Sequence, residues 1–264
     1  MQKGVSNPGA AKRMVVKVGT SSLTHENGKL NIRRVELLAR VLSDLSNQGL
    51  EIVLVSSGAI GVGVGKLGLA ERPSETRQKQ AMAAVGQGQL MSIYDKFFSE
   101  YSQTCAQVLL TRDVLDDEER RANAANAFAT MFEYGIIPIV NENDVVSTFE
   151  IEFGDNDTLS AHVAKLVGAE LLIILSDIDG LFDANPNENP QAKIIPIVTE
   201  ITDEIIELGG GAIGKFSTGG MATKIKAAQI ATSSGINMVI ANGARVEELY
   251  EIFEGKTVGT LFTA

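Results

Sequence analysis

Six short runs of mostly β-branched and leucine residues recur along the sequence, and longer segments with helical periodicity separate them. Within most of these runs the apolar residues are consecutive, as expected for strands that are buried on both faces of a parallel sheet. The predicted strands are 14–18, 51–56, 106–111, 136–140, 171–176 and 237–242. A chain that alternates such strands with helices belongs to the α/β class.

The segments between the strands predict amphipathic helices. In the first of them, 31–48, Asn31 provides an N-cap and Gly49 a stop signal. Its apolar stripe consists of Ile32, Val35, Leu38, Leu42 and Leu45. The other predicted helices are 75–101, 117–134, 157–167 and 221–234. We therefore predict a three-layer α/β/α sandwich with a mostly parallel central sheet, formed by a single domain over 14–264 that follows a flexible tail, 1–13.

Composition and charge exclude several classes of function. The net charge of −10 would repel the phosphates of nucleic acids and of anionic membrane surfaces, so neither is an expected partner. No apolar run approaches the ~20 residues that cross a bilayer, and residues 1–13 lack the apolar segment of a signal peptide. A single cysteine, Cys105, excludes a disulfide framework and indicates a cytoplasmic protein. Two histidines, far apart in the sequence, do not provide a usual zinc site.

Glycine and hydroxyl residues are concentrated where several predicted strands end. Ligands of an open parallel sheet bind beyond these carboxyl-terminal ends, and the sequences there include "KVGTSS", "VSSGAIGVGVG" and "SDIDG". The irregular stretch 177–200 after the fifth strand is long enough to predict a functional loop. Before the last long helix, "STGGMATK" contains two glycines whose N–H groups, together with the helix dipole, favour an anion.

Two lysines indicate which anion would bind at the carboxyl-terminal ends of these strands. Lys17 interrupts a first strand that otherwise suits full burial, and an unpaired ammonium group is unfavourable inside a protein. Either this strand lies at an edge of the sheet and Lys17 is solvated, or its ammonium group faces an anion. Lys224, at the end of "STGGMATK", is likewise either solvated or within reach of that anion. The second interpretation predicts that the two lysines bracket one phosphoryl group during its transfer.

Two polar clusters, "NEND" (141–144) and "GDND" (154–157), follow the predicted strand 136–140. One interpretation is structural, because Asn, Asp and Gly form turns and Asp157 would cap the helix that follows it. The other interpretation is that these side chains bind a ligand that carries a positive amine and a metal. Both interpretations of Asp144 and Asn156 remain open at the level of sequence.

The motifs, considered together, resemble those of the glutamate 5-kinases, a group within the amino-acid kinase family. They occur in order as "VVKVGTSSLT", "VSSGAIGVG", "QAMAAVGQGQLM", "VLLTRD", "IVNENDVVS", "FGDNDTLSAHVA", "LSDIDGLFDANP", "STGGMATKIKAA" and "VGTLF". The resemblance runs from residue 14 to residue 264. Many members carry an additional C-terminal PUA domain, and we expect this chain to be a kinase domain without it.

The resemblance implies that the chain transfers a phosphoryl group from ATP to the γ-carboxylate of L-glutamate, the first step of proline biosynthesis. Lys17 would contact the ATP phosphates, and Lys224 would lie opposite it on the transferred γ-phosphoryl group. Asp157 would orient both lysines and lie close to the metal-nucleotide. The implied glutamate-binding residues are Ser57, Gly58, Asn141, Asp144 and Asn156. The implied ATP-binding residues are Lys17, Ser176, Asp177, Thr218, Gly219, Gly220, Met221, Ala222, Thr223 and Lys224. Magnesium (Mg²⁺) would be held mainly by the ATP phosphates, and no side chain is assigned to it.

The chemistry of these residues agrees with a glutamate substrate. A carboxylate such as Asp144 pairs with an α-ammonium group, and "SSGA" (56–59) can offer a hydroxyl and helix N–H groups to an α-carboxylate. The acceptor γ-carboxylate has a free pKa of ~4 and is already ionised at neutral pH. Catalysis would therefore rest on positioning and electrostatics rather than on a protein base.

Other functions use the same fold or the same ligands. Relatives phosphorylate N-acetylglutamate, aspartate, carbamate or a nucleoside monophosphate, and a kinase fold can also serve as a non-catalytic amino-acid or nucleotide sensor. An acetylated amine has no charge to pair with Asp144, and a sensor has no need of two lysines and an aspartate for transfer. The resemblance further implies feedback inhibition by proline, a functional link to glutamyl phosphate reductase, and a homo-oligomer.

Overall fold

The computed structural model describes residues 8–25, 29–147, 156–186, 188–210 and 220–264. The strands are β1 (Arg13–Val18), β2 (Glu51–Ser56), β3 (Cys105–Leu110), β4 (Ile137–Glu142), β5 (Leu171–Ser176), β6 (Ile197–Val198), β7 (Asn237–Asn242) and β8 (Thr260–Phe262). The α-helices are α1 (Thr20–Leu23), α2 (Ile32–Asn47), α3 (Ala59–Leu67), α4 (Thr76–Glu100), α5 (Arg112–Asp116), α6 (Glu118–Glu133), α7 (Asn156–Val167), α8 (Asp203–Leu208), α9 (Met221–Ser233) and α10 (Glu248–Phe253). None of the helices in these ranges combines the length and the apolar composition that a bilayer crossing requires.

The strands form one sheet in the order β3-β4-β2-β1-β5-β7-β8-β6. The first six strands of this order are parallel to one another, whereas β8 is antiparallel to β7, and β6 is parallel to β8. Hydrophobic cores on both faces join the sheet to helices. The predicted three-layer α/β/α architecture is confirmed.

The six predicted strands are all present, and their bounds differ from the prediction by at most two residues. The sequence does not predict β6 and β8, which have two and three residues and are too short to show a periodicity. Strand β6 lies at the end of the irregular stretch 177–200, where Phe182 also forms an isolated bridge with Ile194.

Alternation along β1 decides which side of the sheet each of its side chains meets. Val16 and Val18 belong to the core that contains residues of α2 and α4. Val15 belongs to the opposite core, which contains residues of α7 and α9. Lys17 is two residues beyond Val15 and therefore faces the same side, towards α7 and α9.

Helix α2 begins and ends at the signals found in its sequence. The side chain of Asn31 accepts a hydrogen bond from the backbone N–H of Arg34 at 3.2 Å, and Gly49 follows the helix with a φ of 94° that strains other residues. Four residues of the predicted apolar stripe are buried: Val35, Leu38, Leu42 and Leu45. The fifth, Ile32, is 63% exposed, because it is the first residue of the helix and does not reach the core.

The predicted tail, 1–13, lies only partly within the described residues. Residues 1–7 lie outside them, whereas Pro8–Ala10 form a 3-10 helix, Ala11 is buried and Arg13 begins β1. The folded part of the chain therefore begins before residue 14. The sequence does not predict this burial, because the stretch is mostly polar and its buried residue, Ala11, is small.

Two glycines set the distance between α3 and α4. A Cβ added at Gly86 would lie 1.7 Å from the carbonyl oxygen of Ala59, and a Cβ added at Gly63 would lie 2.0 Å from that of Met82. The two helices therefore approach each other through their backbones, which only glycine permits. Helix α3 begins directly after Ser57 and Gly58, so this contact also positions two predicted substrate-binding residues.

We expect the substitution Gly86→Ala to destabilise the fold, because the added methyl group forces α3 and α4 apart. Overpacking of this kind costs about 1–3 kcal/mol, which corresponds to a fall in Tm of roughly 2–12 °C. The matched control is Gly88→Ala on the same helix, where nothing lies within 4 Å of the added Cβ. This control should raise Tm slightly, because alanine favours helices. Equal Tm values in calorimetry would contradict the steric explanation.

Candidate active site

The predicted functional residues lie at the carboxyl-terminal ends of the parallel strands, where α7 and α9 begin. The strands contribute Lys17 from β1, Asn141 from β4 and Ser176 from β5. Asn156 and Asp157 are the first two residues of α7, and Lys224 lies in the first turn of α9. Ligands of open parallel sheets bind at these carboxyl-terminal strand ends.

A buried carboxylate lies between two buried ammonium groups. Lys17 Nζ is 2.7 Å from Asp157 Oδ1, and Lys224 Nζ is 3.2 Å from Asp157 Oδ2. The hydroxyl of Thr223 also donates to Asp157 Oδ2, at 2.8 Å. None of the three charged side chains is more than 9% exposed. The alternative in which β1 is an edge strand with a solvated Lys17 is wrong, since β1 lies between β2 and β5.

The two ammonium groups lower the pKa of the carboxylate between them. Burial alone would raise the pKa of Asp157, but the ammonium groups of the two lysines and the Thr223 hydroxyl hold that pKa below its usual range. The Asp157 carboxylate thus contacts two ammonium groups, and ammonium groups of this kind form strong, charge-assisted hydrogen bonds with phosphate or carboxylate ligands. Asp157 does more than cap a helix, since its oxygens contact side chains of β1 and α9.

A chain of hydrogen-bonded polar side chains connects α4, β4, α7 and the residue after β2. Asn141 Nδ2 donates to Gln87 Oε1 at 3.0 Å. Asn156 Nδ2 donates to Asn141 Oδ1 at 2.9 Å and to Ser57 Oγ at 2.8 Å. Both N–H bonds of Asn156 are thereby used, while its Oδ1 is buried and has no hydrogen-bond partner within the described ranges. Asn156 therefore offers an acceptor to a ligand.

Asp144 provides a second buried acceptor. It lies in the turn that follows β4, and its Oδ1 has no hydrogen-bond partner among the residues that the structure describes. Burial, and then the neighbouring carboxylate of Glu142, raise the pKa of Asp144 to about 7. A turn explains the backbone of this residue but not an unpartnered buried carboxylate, which favours a cationic ligand.

A cavity opens beside the end of β5 and the beginning of α9. Five predicted ATP-binding residues line it: Ser176, Asp177, Gly220, Met221 and Lys224. Apolar side chains from the loop after β5 and from α8 complete the lining, among them Phe182, Pro186 and Leu208. The stretch 177–200 therefore contributes to a cavity, as a functional loop would. Since Lys224 lines the cavity and contacts Asp157, the cavity meets the lysine cluster.

The remaining predicted residues differ in how the structure places them. Gly58 is in the left-handed conformation with a φ of 103° and connects β2 to α3. Ala222 is absent from the described lining of the cavity, and Thr223 contacts Asp157 instead. Thr218 and Gly219 lie outside the described residues, as do Gly154 and Asp155 of the "GDND" cluster.

Gln87 is the member of this site that the sequence does not predict. It is only 8% exposed and accepts the hydrogen bond that begins the polar chain. It occurs within "QAMAAVGQGQLM", yet a glutamine on a long helix is ordinarily a solvated residue. Only the packing of α4 against the end of β4 distinguishes it from Gln78, Gln80 and Gln89.

Comparisons with known proteins identify similar sequences along nearly the whole chain. The profile of the amino acid kinase family matches residues 12–242. A glutamate 5-kinase of Clostridium perfringens is 58% identical over 258 residues, which are 96% of this chain and 96% of that protein. The glutamate 5-kinase of Clostridium acetobutylicum is 53% identical over 261 residues, or 99% of this chain and 97% of that protein. A third relative, the glutamate 5-kinase of Moorella thermoacetica, is 54% identical, and the match covers 96% of this chain and 67% of that protein.

Solved structures share the fold at much lower sequence identity. The UMP kinase of Ureaplasma parvum has a TM-score of 0.65 and 15% identity, with coverage of 96% of this chain and 99% of its own. The UMP kinase of Bacillus anthracis has a TM-score of 0.63 and 15% identity, with coverage of 96% of each chain. Likeness at this identity supports the architecture alone.

Proposed function

Because this chain belongs to the amino acid kinase family and, within it, to the glutamate 5-kinases, we infer that it transfers the γ-phosphoryl group of ATP to the γ-carboxylate of L-glutamate. The products are ADP and L-glutamyl 5-phosphate, and the reaction is the first step of proline biosynthesis. The observation that carries this function is the contact of Lys17 and Lys224 with one buried carboxylate, that of Asp157. Two ammonium groups held side by side in this way suit a phosphoryl group in transfer.

The reaction needs positioning and charge stabilisation more than it needs a base. An oxygen of the γ-carboxylate attacks the γ-phosphorus, a new P–O bond forms, and the bond to the β–γ bridging oxygen breaks, so that ADP leaves with the electron pair. The attacking carboxylate is already ionised, since its free pKa is ~4. Lys17 and Lys224 would offset the charge of two approaching anions, and Asp157 would hold both ammonium groups in place.

We propose that ATP occupies the cavity beside β5 and α9. Its apolar lining, which includes Phe182 and Leu208, suits a purine base, and Lys224 lies where the cavity meets the cluster around Asp157. The γ-phosphate would therefore lie against the two lysines. This placement agrees with the predicted roles of Ser176 and Asp177, which line the same cavity.

We propose that magnesium is held mainly by the ATP phosphates. Both carboxylate oxygens of Asp157 contact ammonium groups. Mg²⁺ commonly keeps several waters and binds through substrate phosphates with only one or two carboxylates. When bound, the ion would neutralise charge on the phosphates.

We propose that Asp144 and Asn156 recognise the α-ammonium group of glutamate. Each has a buried oxygen that lacks a partner in the described part of the chain, and an ammonium group brings three donors and no acceptor. Ser57 Oγ accepts from Asn156, which leaves its own proton for the α-carboxylate. Gly58 would add its N–H at the beginning of α3.

A substrate panel tests the proposed function. Purified protein with ATP and Mg²⁺ should release ADP when L-glutamate is added, and hydroxylamine should trap the product as an acyl hydroxamate. N-acetylglutamate, aspartate, carbamate and UMP should release at least tenfold less ADP, because none of them matches both the charged amine site and the distance to the lysines. ADP release that does not depend on glutamate, or that is faster with another acceptor, would reject the assignment.

The raised pKa of Asp144 predicts a pH dependence of glutamate binding. Only the ionised carboxylate pairs with an ammonium group, so kcat/KM for glutamate should rise as the pH rises through about 7, while KM for ATP changes little. Asp144→Asn should raise KM for glutamate roughly 100-fold and remove this pH dependence. The control Asp95→Asn, on the exposed side of α4, should leave the profile unchanged.

The same shift predicts an opposite effect of Asp144 on stability. Between the usual pKa of an aspartate and about 7, the folded protein keeps a proton on Asp144 that the unfolded chain has released. Stability therefore falls as the pH rises through this window and levels off above it. Asp144→Asn should consequently have a higher Tm than the unaltered protein at pH 8, and a smaller advantage or none at pH 5. A lower Tm at pH 8 would contradict the unpartnered state of this carboxylate.

We also propose three finer properties. Proline would compete with glutamate, because it presents an ammonium and a carboxylate group but no γ-carboxylate to phosphorylate. The product would pass to a reductase, since an acyl phosphate hydrolyses readily. The chain would act in the cytoplasm and would form a homo-oligomer. The position of β3 at the edge of the sheet and the exposure of its residue Leu109 support the oligomer.

A further inference from the structure

The direction of the hydrogen bonds in the polar chain decides what Asn156 presents to a ligand. A primary amide has a donor end and an acceptor end. In the structure, Gln87 accepts from Asn141, Asn141 accepts from Asn156, and Asn156 is left with a free oxygen. If the direction were reversed, Asn141 would donate to Asn156 Oδ1, and the amide nitrogen of Asn156 would face the ligand.

We propose that Gln87 is a positioning residue that sets this direction and thereby makes the amine subsite an acceptor-only site. The inference rests on the proposed function, because it assumes that Asn156 and Asp144 receive the α-ammonium group of glutamate. Gln87 does not touch the substrate in this scheme and acts through Asn141. Its side-chain oxygen holds Asn141 with its nitrogen turned away from Asn156.

The packing of α4 holds Gln87 at the end of β4. Its neighbour Gly86 lies against Ala59 of α3, where no Cβ would fit. One heptad later on the same buried side of α4, the hydroxyl of Tyr94 is 2.8 Å from Ser56 Oγ, at the end of β2. Helix α4 therefore contacts the ends of two adjacent strands through polar side chains, Tyr94 at β2 and Gln87 at β4.

The consequence of this arrangement is selectivity for a charged amine. Two unpartnered buried oxygens, on Asn156 and Asp144, suit an ammonium group. A ligand without the amine leaves both acceptors unsatisfied, and a site built to bind one group rejects an analogue that lacks it. Gln87 would therefore affect the affinity for glutamate much more than the affinity for its deamino analogue, glutarate.

Two substitutions separate positioning from simple packing. Gln87→Leu removes the acceptor and keeps a side chain of similar volume. Gln87→Glu keeps an acceptor oxygen at the same distance from the backbone, whether or not it is ionised. The measurements are KM and kcat for glutamate, the inhibition constant of glutarate against glutamate, and KM for ATP, each with the complete protein and Mg²⁺.

We expect Gln87→Leu to raise KM for glutamate about 10- to 50-fold, with kcat, KM for ATP and the inhibition constant of glutarate within about threefold of the unaltered protein. Gln87→Glu should keep KM for glutamate within about fivefold. Equal losses for glutamate and glutarate in Gln87→Leu would overturn the proposal, because they would indicate a structural role. A Gln87→Glu variant that discriminates as poorly as Gln87→Leu would overturn it too.

The outcomes remain decisive if one variant fails to fold or if the proposed function is wrong. Gln87→Met replaces Gln87→Leu if the latter does not purify as a folded protein, and Gln87→Glu supports or rejects the role of the acceptor by itself. Failure of the unaltered protein to phosphorylate glutamate would reject the proposed function. If the unaltered protein phosphorylates glutamate and Gln87→Leu still discriminates equally well between glutamate and glutarate, only the role of Gln87 would be rejected.

Discussion

Substitution of Lys224 by methionine should lower kcat about 10³-fold, while the Kd for ATP changes less than about fivefold. The methionine keeps most of the aliphatic stem and removes only the charge. In the proposed site, Lys17 and the apolar walls of the cavity would still bind the nucleotide, whereas the charge that develops between two anions during transfer would lose one of its two ammonium groups. Isothermal titration for ATP binding and an ADP-release assay for kcat measure the two quantities separately.

The matched control for Lys224 is Lys226→Met. Lys226 is two residues further along α9, is exposed and lines a different cavity. Its substitution should leave kcat within about twofold. If Lys224→Met weakens ATP binding more than it lowers kcat, the site binds nucleotide without transferring its phosphate, and the sensor interpretation gains support over the kinase.

Asp157→Asn should lower both stability and activity, because it removes a carboxylate that contacts both Lys17 and Lys224. Two buried ammonium groups would then face each other, and breaking a buried ion pair costs about 3–5 kcal/mol, or roughly 6–20 °C in Tm. The kcat should fall about 10²-fold or more, since neither lysine keeps its orientation. Calorimetry and the ADP-release assay at neutral pH measure these effects.

A second substitution distinguishes repulsion from general damage. Lys17→Met added to Asp157→Asn removes one of the two positive charges that repel each other. The double variant should recover at least half of the decrease in Tm without recovering activity. Thr223→Val is the matched control, because it removes a hydrogen bond to the same carboxylate without changing charge, and it should cost about 1 kcal/mol. A double variant that is less stable than Asp157→Asn would show that charge repulsion is not the cause.

Acid should reveal the same interaction in the unaltered protein. The pKa of Asp157 is held low in the folded state, so the stability that it contributes is present above the pKa of an unfolded aspartate and is lost as the pH falls through the lower, folded pKa. Asp157→Asn has no such contribution to lose. Its Tm should therefore fall less than that of the unaltered protein between pH 5 and the acid transition.

Local patterns predict the regular elements of this fold well. The continuous apolar runs correspond to the central strands, since a strand covered on both faces needs apolar residues at successive positions. Asn31 and Gly49 mark the ends of α2 because capping depends on neighbouring residues. The prediction misses β6 and β8, the exposure of Ile32 and the burial of Ala11. Strands β6 and β8 are too short to show a periodicity. Ile32 is the first residue of its helix, and the burial of Ala11 depends on contacts with distant parts of the chain.

For the site, the sequence indicates the kinds of residue and the edge of the sheet at which they lie. Lys17 stands out because a charge interrupts an apolar strand, and the polar clusters stand out because they follow another. The pairing of Lys17 with Lys224, residues from opposite ends of the chain, depends on the strand order that places β1 at the centre of the sheet and on the alternation that turns Lys17 towards α7 and α9.

The sequence by itself determined the α/β class and the central strands, and it indicated candidate residues for binding phosphate and amine, because these follow from periodicity and side-chain chemistry along the chain. Only the tertiary structure decided that Asp157 holds two lysines at once and that Gln87 begins a directed chain of hydrogen bonds. Hydrogen bonds and ion pairs act over about 3 Å, and these residues, 54 to 140 positions apart, come within that distance only when the sheet and its helices have packed.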